Sequence, residues 1–218
     1  MDLKAIRRDL LDFFFPRRCP FCGRILGREL LCSDCEKALP YTGAQAVRKG
    51  AFGVCASPLW YEGAVRDALL RFKFRRDLGV LACFGEMMAR CAAEELMGEF
   101  DAVTWVPVST KRLRKRGFDQ SRLLAASLCV DWHVQPIRTL RKISDNPAQS
   151  GISDAAARRA NVLGVYECAE PQIVSQHRWL LVDDICTTGA TLQECVRVLK
   201  AAGAPEVVCL TLASVRRR

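Results

Sequence analysis

Residues 179–192 read WLLVDDICTTGATL: an apolar run, two successive acids, a tract of small hydroxylated residues around one glycine, then an apolar continuation. This order predicts a buried strand over 179–183 that ends in Asp183 and Asp184, a loop, and a helix near 190–202. In an open α/β sheet, ligands bind at the carboxyl ends of the strands, where both acids and the loop would lie. Thr187, Thr188, Gly189, Ala190 and Thr191 are suited to wrap a phosphate with backbone amides and hydroxyls, helped by the positive end of the following helix. Acids would repel that phosphate, so Asp183 and Asp184 must face something else, and the vicinal hydroxyls of a sugar are suitable donors. A 5-phosphorylated ribose fits both halves. The plainer alternative is an N-capped helix after a strand. No G-K-[ST] follows, so this is not a Walker A loop. Cys186 lies inside the loop, where a thiol near helix amides is a candidate redox switch.

Working outward, strands are expected at 54–61, 102–108 and 206–213, with helices near 63–74, 77–98 and 118–130. Strands alternating with helices imply an α/β fold with a parallel sheet. Between 108 and 118 a basic loop carries Lys111, Arg112, Arg114, Lys115 and Arg116. A loop at a strand's carboxyl end beside a phosphate site favours anion binding, against the alternative of a solvated charged surface. Residues 140–161 are polar and read mostly as a long loop. Residues 42–50, TGAQAVRKG, read as a linker. It separates an N-terminal part, 1–45, from the α/β domain, 46–218. The N-terminal part opens with an amphipathic helix over 2–15, stopped by Pro16.

Cys19, Cys22, Cys32 and Cys35 spell C-x2-C-x9-C-x2-C. Two intervening residues let each tight turn aim two sulfurs at one point, and two such turns close the tetrahedron of a four-thiolate Zn2+ site. With no open position the zinc would be structural, supporting a module too small to bury enough surface alone. A redox dithiol is the alternative reading of a C-x-x-C pair.

The chain has 218 residues, 50% of them hydrophobic, a soluble globular composition. No uncharged apolar run approaches the ~20 residues a membrane span needs. The N-terminus is charged where a signal peptide would be apolar. A cytoplasmic location is expected, and the eight cysteines outside the pairs then read as small buried hydrophobes. The net charge of +9 favours polyanionic partners, from phosphorylated metabolites to nucleic acid.

Residues 180–192 resemble the phosphoribosyl-pyrophosphate (PRPP) signature of type I phosphoribosyltransferases. With the four-cysteine module, the chain resembles the ComF (GntX-like) family, which joins an N-terminal zinc ribbon to a phosphoribosyltransferase-type domain. LDFFFPRRCPFCG (11–23), LWYEGAVRDALLRFKF (59–74) and VPVSTKRLRKRGFDQS (106–121) match further family blocks, and Gln149, Gly151, Arg158 and Asn161 echo another. The sequence departs from the pattern at Ser109, where the family has His, and at Asp119, where it has Asn. The resemblance implies that Asp183 and Asp184 hold the ribose hydroxyls, directly or through Mg2+, as the catalytic acids. It implies that Thr187 to Thr191 bind the 5-phosphate and that Arg112 and Arg116 meet pyrophosphate. It further implies a role in DNA uptake or single-stranded DNA handling with other uptake proteins, or else active transfer of phosphoribose to a nitrogen nucleophile. For DNA, Phe72 and Phe74 interleaved with Arg71, Lys73, Arg75 and Arg76 are candidate stacking contacts, as the closing Arg216 to Arg218 are candidate phosphate contacts.

Overall fold

A computed structural model describes residues 17–144 and 163–216. The helix expected at 2–15, residues 145–161 of the expected loop, and Arg217 and Arg218 lie outside them. The first half comprises α1 (Ser33–Ala38), β1 (Val47–Gly50), β2 (Gly53–Ala56), β3 (Leu59–Trp60), α2 (Gly63–Arg75), α3 (Leu81–Glu95) and β4 (Ala102–Trp105). There follow α4 (Thr110–Arg116), α5 (Gln120–Leu128), β5 (Leu140–Lys142), β6 (Tyr166–Cys168), α6 (Pro171–Val174), β7 (Trp179–Cys186), α7 (Ala190–Ala201) and β8 (Val207–Ser214).

The main sheet has the order β1-β2-β8-β7-β4, with β3 also paired to β8. All pairs are parallel except β1 with β2. Side chains alternate along each strand, and the two central strands use that alternation to divide the core. Leu180 and Val182 of β7, with Val208, Leu210 and Leu212 of β8, face Leu69 and Phe72 of α2, Phe84 and Met88 of α3, and Leu124 and Leu128 of α5. Trp179 and Leu181, with Val207 and Cys209, face Leu192, Cys195 and Leu199 of α7 on the other side. The result is a mostly parallel sheet covered on both faces, as expected of near-continuous apolar strands. The helices α3 and α5 cross closely at Gly85, where an added Cβ would lie 2.3 Å from Ser127 Oγ.

Several expectations are corrected. The linker read at 42–50 is folded: β1 occupies Val47–Gly50 and pairs antiparallel with β2. It is an edge strand, and edge strands carry charges such as Arg48 and Lys49 that hide them from hydropathy. The strand expected at 54–61 is two, because Pro58 can donate no hydrogen bond to the ladder. The basic loop is the helix α4, since Ser109 Oγ accepts the amide of Arg112 at 3.2 Å and Gly117 closes it in the left-handed region. Residues 140–142, expected in a loop, form β5 and pair with β6 in a separate two-stranded sheet. Of the eight single cysteines, seven are buried and Cys168 is partly so. No helix among the described residues is long and apolar enough to cross a membrane.

Candidate functional site

β7 continues past the acids to Cys186, because β8 runs beside it to Ser214 and pairs with Ile185 and Cys186 beyond them. Asp183 and Asp184 therefore lie within the strand near its carboxyl end, a correction to the expectation that the strand stops there. Asp184 alone in the stretch lacks a partner in that register; its amide instead donates to Asp183 Oδ1 at 2.9 Å. The same oxygen accepts Ser121 Oγ from α5 at 2.8 Å. Burial, with the Asp184 charge beside it, pushes the Asp183 carboxyl up to about 7, against the opposing pull of Ser121 and Lys73. Asp184 Oδ2 meets Lys73 Nζ from the last turn of α2 at 2.8 Å, with the side chains only 14% and 18% exposed.

The loop after β7 is built on Gly189, whose φ of +80° favours glycine and whose missing Cβ admits the Phe52 ring. Phe52 comes from the β1–β2 turn, and Arg48 of β1 donates to the carbonyls of Cys186 and Thr187 and to Ser214 Oγ. This hairpin thus holds the loop from below. The amide of Ala190 donates to Thr188 Oγ1 at 3.4 Å, and no side chain of Gly189 caps α7. The remaining first-turn amides are left to bind an anion. Thr187 and Thr188 are exposed, Thr191 half-buried, and Gly189 and Ala190 buried beneath them. Cys186 is buried as the last residue of β7, away from the exposed loop surface.

Of the α4 cations, Arg116 lies within electrostatic reach of Asp184. Arg116 lies over the Phe74 ring at 5.2 Å, and burial and the nearby Arg112 charge lower its pKa while Asp184 and Asp119 raise it. Asp119 caps α5, accepting from the amides of Arg122 and Val108 at 3.2 Å each, so both its oxygens are engaged by backbone. Ser109, in the family's His position, is likewise engaged as a cap. Across the site Tyr166 is buried, feels the charges of Asp183, Arg112 and Asp119, and is held well above its usual pKa by burial. The predicted residues are thus brought to one end of the sheet. Sequence reasoning missed Lys73 and Ser121 as partners of the acids, and Phe52 and Arg48 as supports of the loop. The candidate stacking pair divides: Phe72 is fully buried core, whereas Phe74 is 65% exposed. Arg216 pairs with Glu62 at 3.1 Å and stacks on Trp60.

Carboxylate oxygens are the hard donors Mg2+ prefers. Among the described residues, Asp183 Oδ2 and Asp184 Oδ1 carry no hydrogen bond, so these two atoms fit such an ion, completed by ligand oxygens or water.

The four ribbon cysteines place their sulfurs within 4.8 Å of one another. Cys22 and Cys32 Sγ stand 3.6 Å apart, close to the ~3.8 Å edge of a tetrahedron with 2.3 Å Zn–S bonds. The Cys35 amide donates to Cys32 Sγ at 3.5 Å, an outer contact that orients a thiolate ligand. Burial acts to raise the Cys19 thiol, but the amides of Cys32, Cys22 and Phe21 outweigh it and bring it to about 6. The donor set fits structural Zn2+. Phe21 docks the ribbon, its ring 6.0 Å from that of Phe84 on α3, and Arg71 of α2 donates to the Pro20 carbonyl. Two cavities, of about 410 and 930 Å3, lie between ribbon and α3, and neither is lined by the acids or the phosphate loop.

The double zinc ribbon domain family matches residues 10–64, and the phosphoribosyl transferase domain family matches residues 115–218. One four-cysteine cluster is present among the described residues, so the first match is carried here by a single metal site. Competence protein ComFC of Bacillus subtilis is 27% identical over 192 residues, 85% of this chain and 72% of that protein. Competence protein F of Haemophilus influenzae is 27% identical, covering 89% of this chain and 95% of that one. DNA utilization protein YhgH of Salmonella typhi is 26% identical over 89% of this chain and 84% of its own length. Among solved structures, the allosteric regulatory enzyme of purine biosynthesis aligns with a TM-score of 0.41 at 20% identity, over 65% of this chain and 29% of that one. That likeness is too loose to bear on the site. The chain pairs a zinc ribbon with a phosphoribosyltransferase domain and is similar over most of its length to the ComF-type competence proteins.

Proposed function

We propose that this ComF-type chain binds PRPP or a related ribose phosphate at the β7–α7 turn and serves DNA uptake, the setting that the names of its competence relatives suggest. The observation that carries the reading is the juxtaposition of two unlike half-sites. Asp183 and Asp184 offer carboxylate oxygens to ribose hydroxyls, while the uncapped first turn of α7 with Thr187 to Thr191 offers donors to the 5-phosphate. An acid pair alone would repel a phosphate, and an amide cradle alone would not select a sugar. Arg112 and Arg116 stand on the adjacent helix as partners for the pyrophosphate. Mg2+, carried with PRPP, would screen that pyrophosphate and find Asp183 Oδ2 and Asp184 Oδ1 as protein ligands.

Single-stranded DNA is the proposed macromolecular partner. Exposed Phe74 with Arg116 over its face and the cations of α4 around it combine a stacking surface with phosphate neutralisation. We assign the chain to the cytoplasm, where a reducing milieu keeps the ribbon thiols and the buried single cysteines unpaired. We set the boundary between ribbon module and transferase-type domain near residue 45, because β1 is already part of the main sheet.

A second reading, phosphoribosyl transfer to a nitrogen nucleophile, uses the same geometry, with Arg112 and Arg116 stabilising the departing pyrophosphate. Such a step depends more on positioning and charge than on a strong protein base. Two measurements test these readings. This chain should restore transformation to a Bacillus subtilis strain lacking ComFC, and the Asp183→Asn/Asp184→Asn variant should not; equal rescue by both would refute a role for the site. Pyrophosphate release from PRPP, assayed over a panel of bases and amines, should be nil for a binding protein and dependent on one acceptor for a transferase.

A further inference from the structure

We propose that Arg48 is the positioning residue of the phosphate loop: by holding two successive carbonyls from behind, it aims the amides of Thr187 and Thr188 at the 5-phosphate. The phosphate half of this inference rests on the reading above; the positioning half stands on geometry alone. Arg48 Nη1 donates to Thr187 O at 3.1 Å, to Cys186 O at 3.4 Å and to Ser214 Oγ at 2.9 Å. A trans peptide points its carbonyl and its N–H to opposite sides, and both units here are trans. With the carbonyls of Cys186 and Thr187 turned to Arg48, the amides of Thr187 and Thr188 turn away from it. Neither amide donates to any described residue. Two successive N–H groups so placed form a concavity of the kind that takes an anion.

The two peptides do not depend on Arg48 equally. Cys186 O also accepts the Val215 amide at 3.0 Å and Ser214 Oγ at 3.4 Å. Thr187 O has Arg48 alone among the described residues, so the Thr188 amide is the one that would swing without it. The state of the cation points to a ligand as well. Arg48 is half-buried, meets no carboxylate among the described residues, and keeps a buried Nε without a hydrogen-bond partner. A cation withdrawn from solvent without a counter-ion is costly to hold. A phosphate on the far side of the two peptides would balance it, because each peptide then lies between the charges with its dipole aligned to both. Arg48 thus acts through the loop and not by touching the ligand.

The test titrates ribose 5-phosphate into the full zinc-loaded chain by calorimetry and follows isotope-labelled protein by nuclear magnetic resonance. When wild type binds, the ligand should draw the Thr187 and Thr188 amide protons downfield; an unmoved Thr188 amide in the saturated chain overturns the inference, whether or not any variant folds. Arg48→Met should weaken ribose 5-phosphate binding at least about 10-fold, and a smaller loss in a variant folded by circular dichroism overturns it. All three contacts come from Nη1, so the single ammonium of Arg48→Lys can replace them and should recover at least about half of that loss on a logarithmic scale. Met and Lys fill nearly the same volume, so a merely packing role predicts no recovery, and its absence overturns the inference. Lys49→Met removes a like charge from the next position, on the opposite face of the strand, and should cost less than about 3-fold; a larger loss would assign the effect to net charge and overturn the inference. Should wild type not bind ribose 5-phosphate, the functional reading and the phosphate half fall together. The Thr187 carbonyl carbon signal of the unliganded chain still judges the positioning half: it should move in Arg48→Met and return in Arg48→Lys, and an unmoved signal overturns it.

Discussion

Replacing Gly189 with alanine puts the phosphate loop to a quantitative test. A Cβ at this position would stand 2.2 and 2.3 Å from two carbons of the Phe52 ring, and the backbone φ is +80°. Alanine in the left-handed region costs about 1–2 kcal/mol. Forcing a methyl group into a packed contact adds about 1–3 kcal/mol. Phe52 cannot simply swing away, since it is 3% exposed and packed against the apolar face of α7. The expected loss is about 2–5 kcal/mol, or roughly 4–20 °C in Tm for a chain of this size. Phe52→Ala alone should cost about 3–5 kcal/mol through the cavity it leaves. The double variant lets the new methyl enter that cavity, so its cost should fall short of the sum by about 1–3 kcal/mol. The backbone share of the Gly189 penalty should persist in the double variant, because φ does not depend on the ring. Urea unfolding of the four proteins measures all these quantities. A Gly189→Ala variant within 0.5 kcal/mol of wild type, or strict additivity in the double, would refute the packing argument.

Three further outcomes are expected. Stripping Zn2+ with a chelator, or Cys32→Ser, should loosen the ribbon and raise quenching of fluorescence only for probes placed near Phe21, leaving the β7–β8 core intact; an unchanged ribbon would count against a structural metal. Asp183, with its folded pKa of about 7 against about 3.9 unfolded, binds its proton more tightly in the fold. Its contribution to stability is fully present below about pH 4 and is lost as pH rises through 7, so Asp183→Asn should gain on wild type by up to about 4 kcal/mol over that window, less whatever solvent access takes away. A difference independent of pH would contradict the buried, charge-coupled setting. Gly85→Ala should destabilise by about 1–3 kcal/mol, because its Cβ would also lie 2.8 Å from the Ser127 backbone carbon; Ser127→Gly in the same chain should recover only part, since that backbone remains.

The strand-loop-helix at 179–192 could be read directly because every local signal there agrees: apolar run, acids, glycine, hydroxyls and an amphipathic helix. The ribbon was equally plain, since its ligands are close in sequence. What escaped were elements whose character is set by distant partners. Val47–Gly50 looks like polar linker until β2 is placed beside it. α4 is almost wholly cationic, so it carries no apolar period, and its only helical signals are the Ser109 cap and the closing Gly117. Leu140–Lys142 is three residues long and exists as a strand only through Tyr166–Cys168. Lys73 and Ser121 lie 111 and 62 residues from the acids they touch, and no spacing rule spans such distances. The alternation of Phe72 and Phe74 with cations suggested one shared surface, whereas helical geometry sends Phe72 into the core and Phe74 out.

The most direct measurement is calorimetric titration of ribose 5-phosphate and PRPP into zinc-loaded wild type and the Asp183→Asn/Asp184→Asn variant. Two charge-assisted contacts to the sugar, at about 1.5–3 kcal/mol each, predict a loss of at least about 100-fold, with inorganic phosphate binding at the α7 amides retained. Equal affinity of the two proteins for both sugar phosphates would contradict the account.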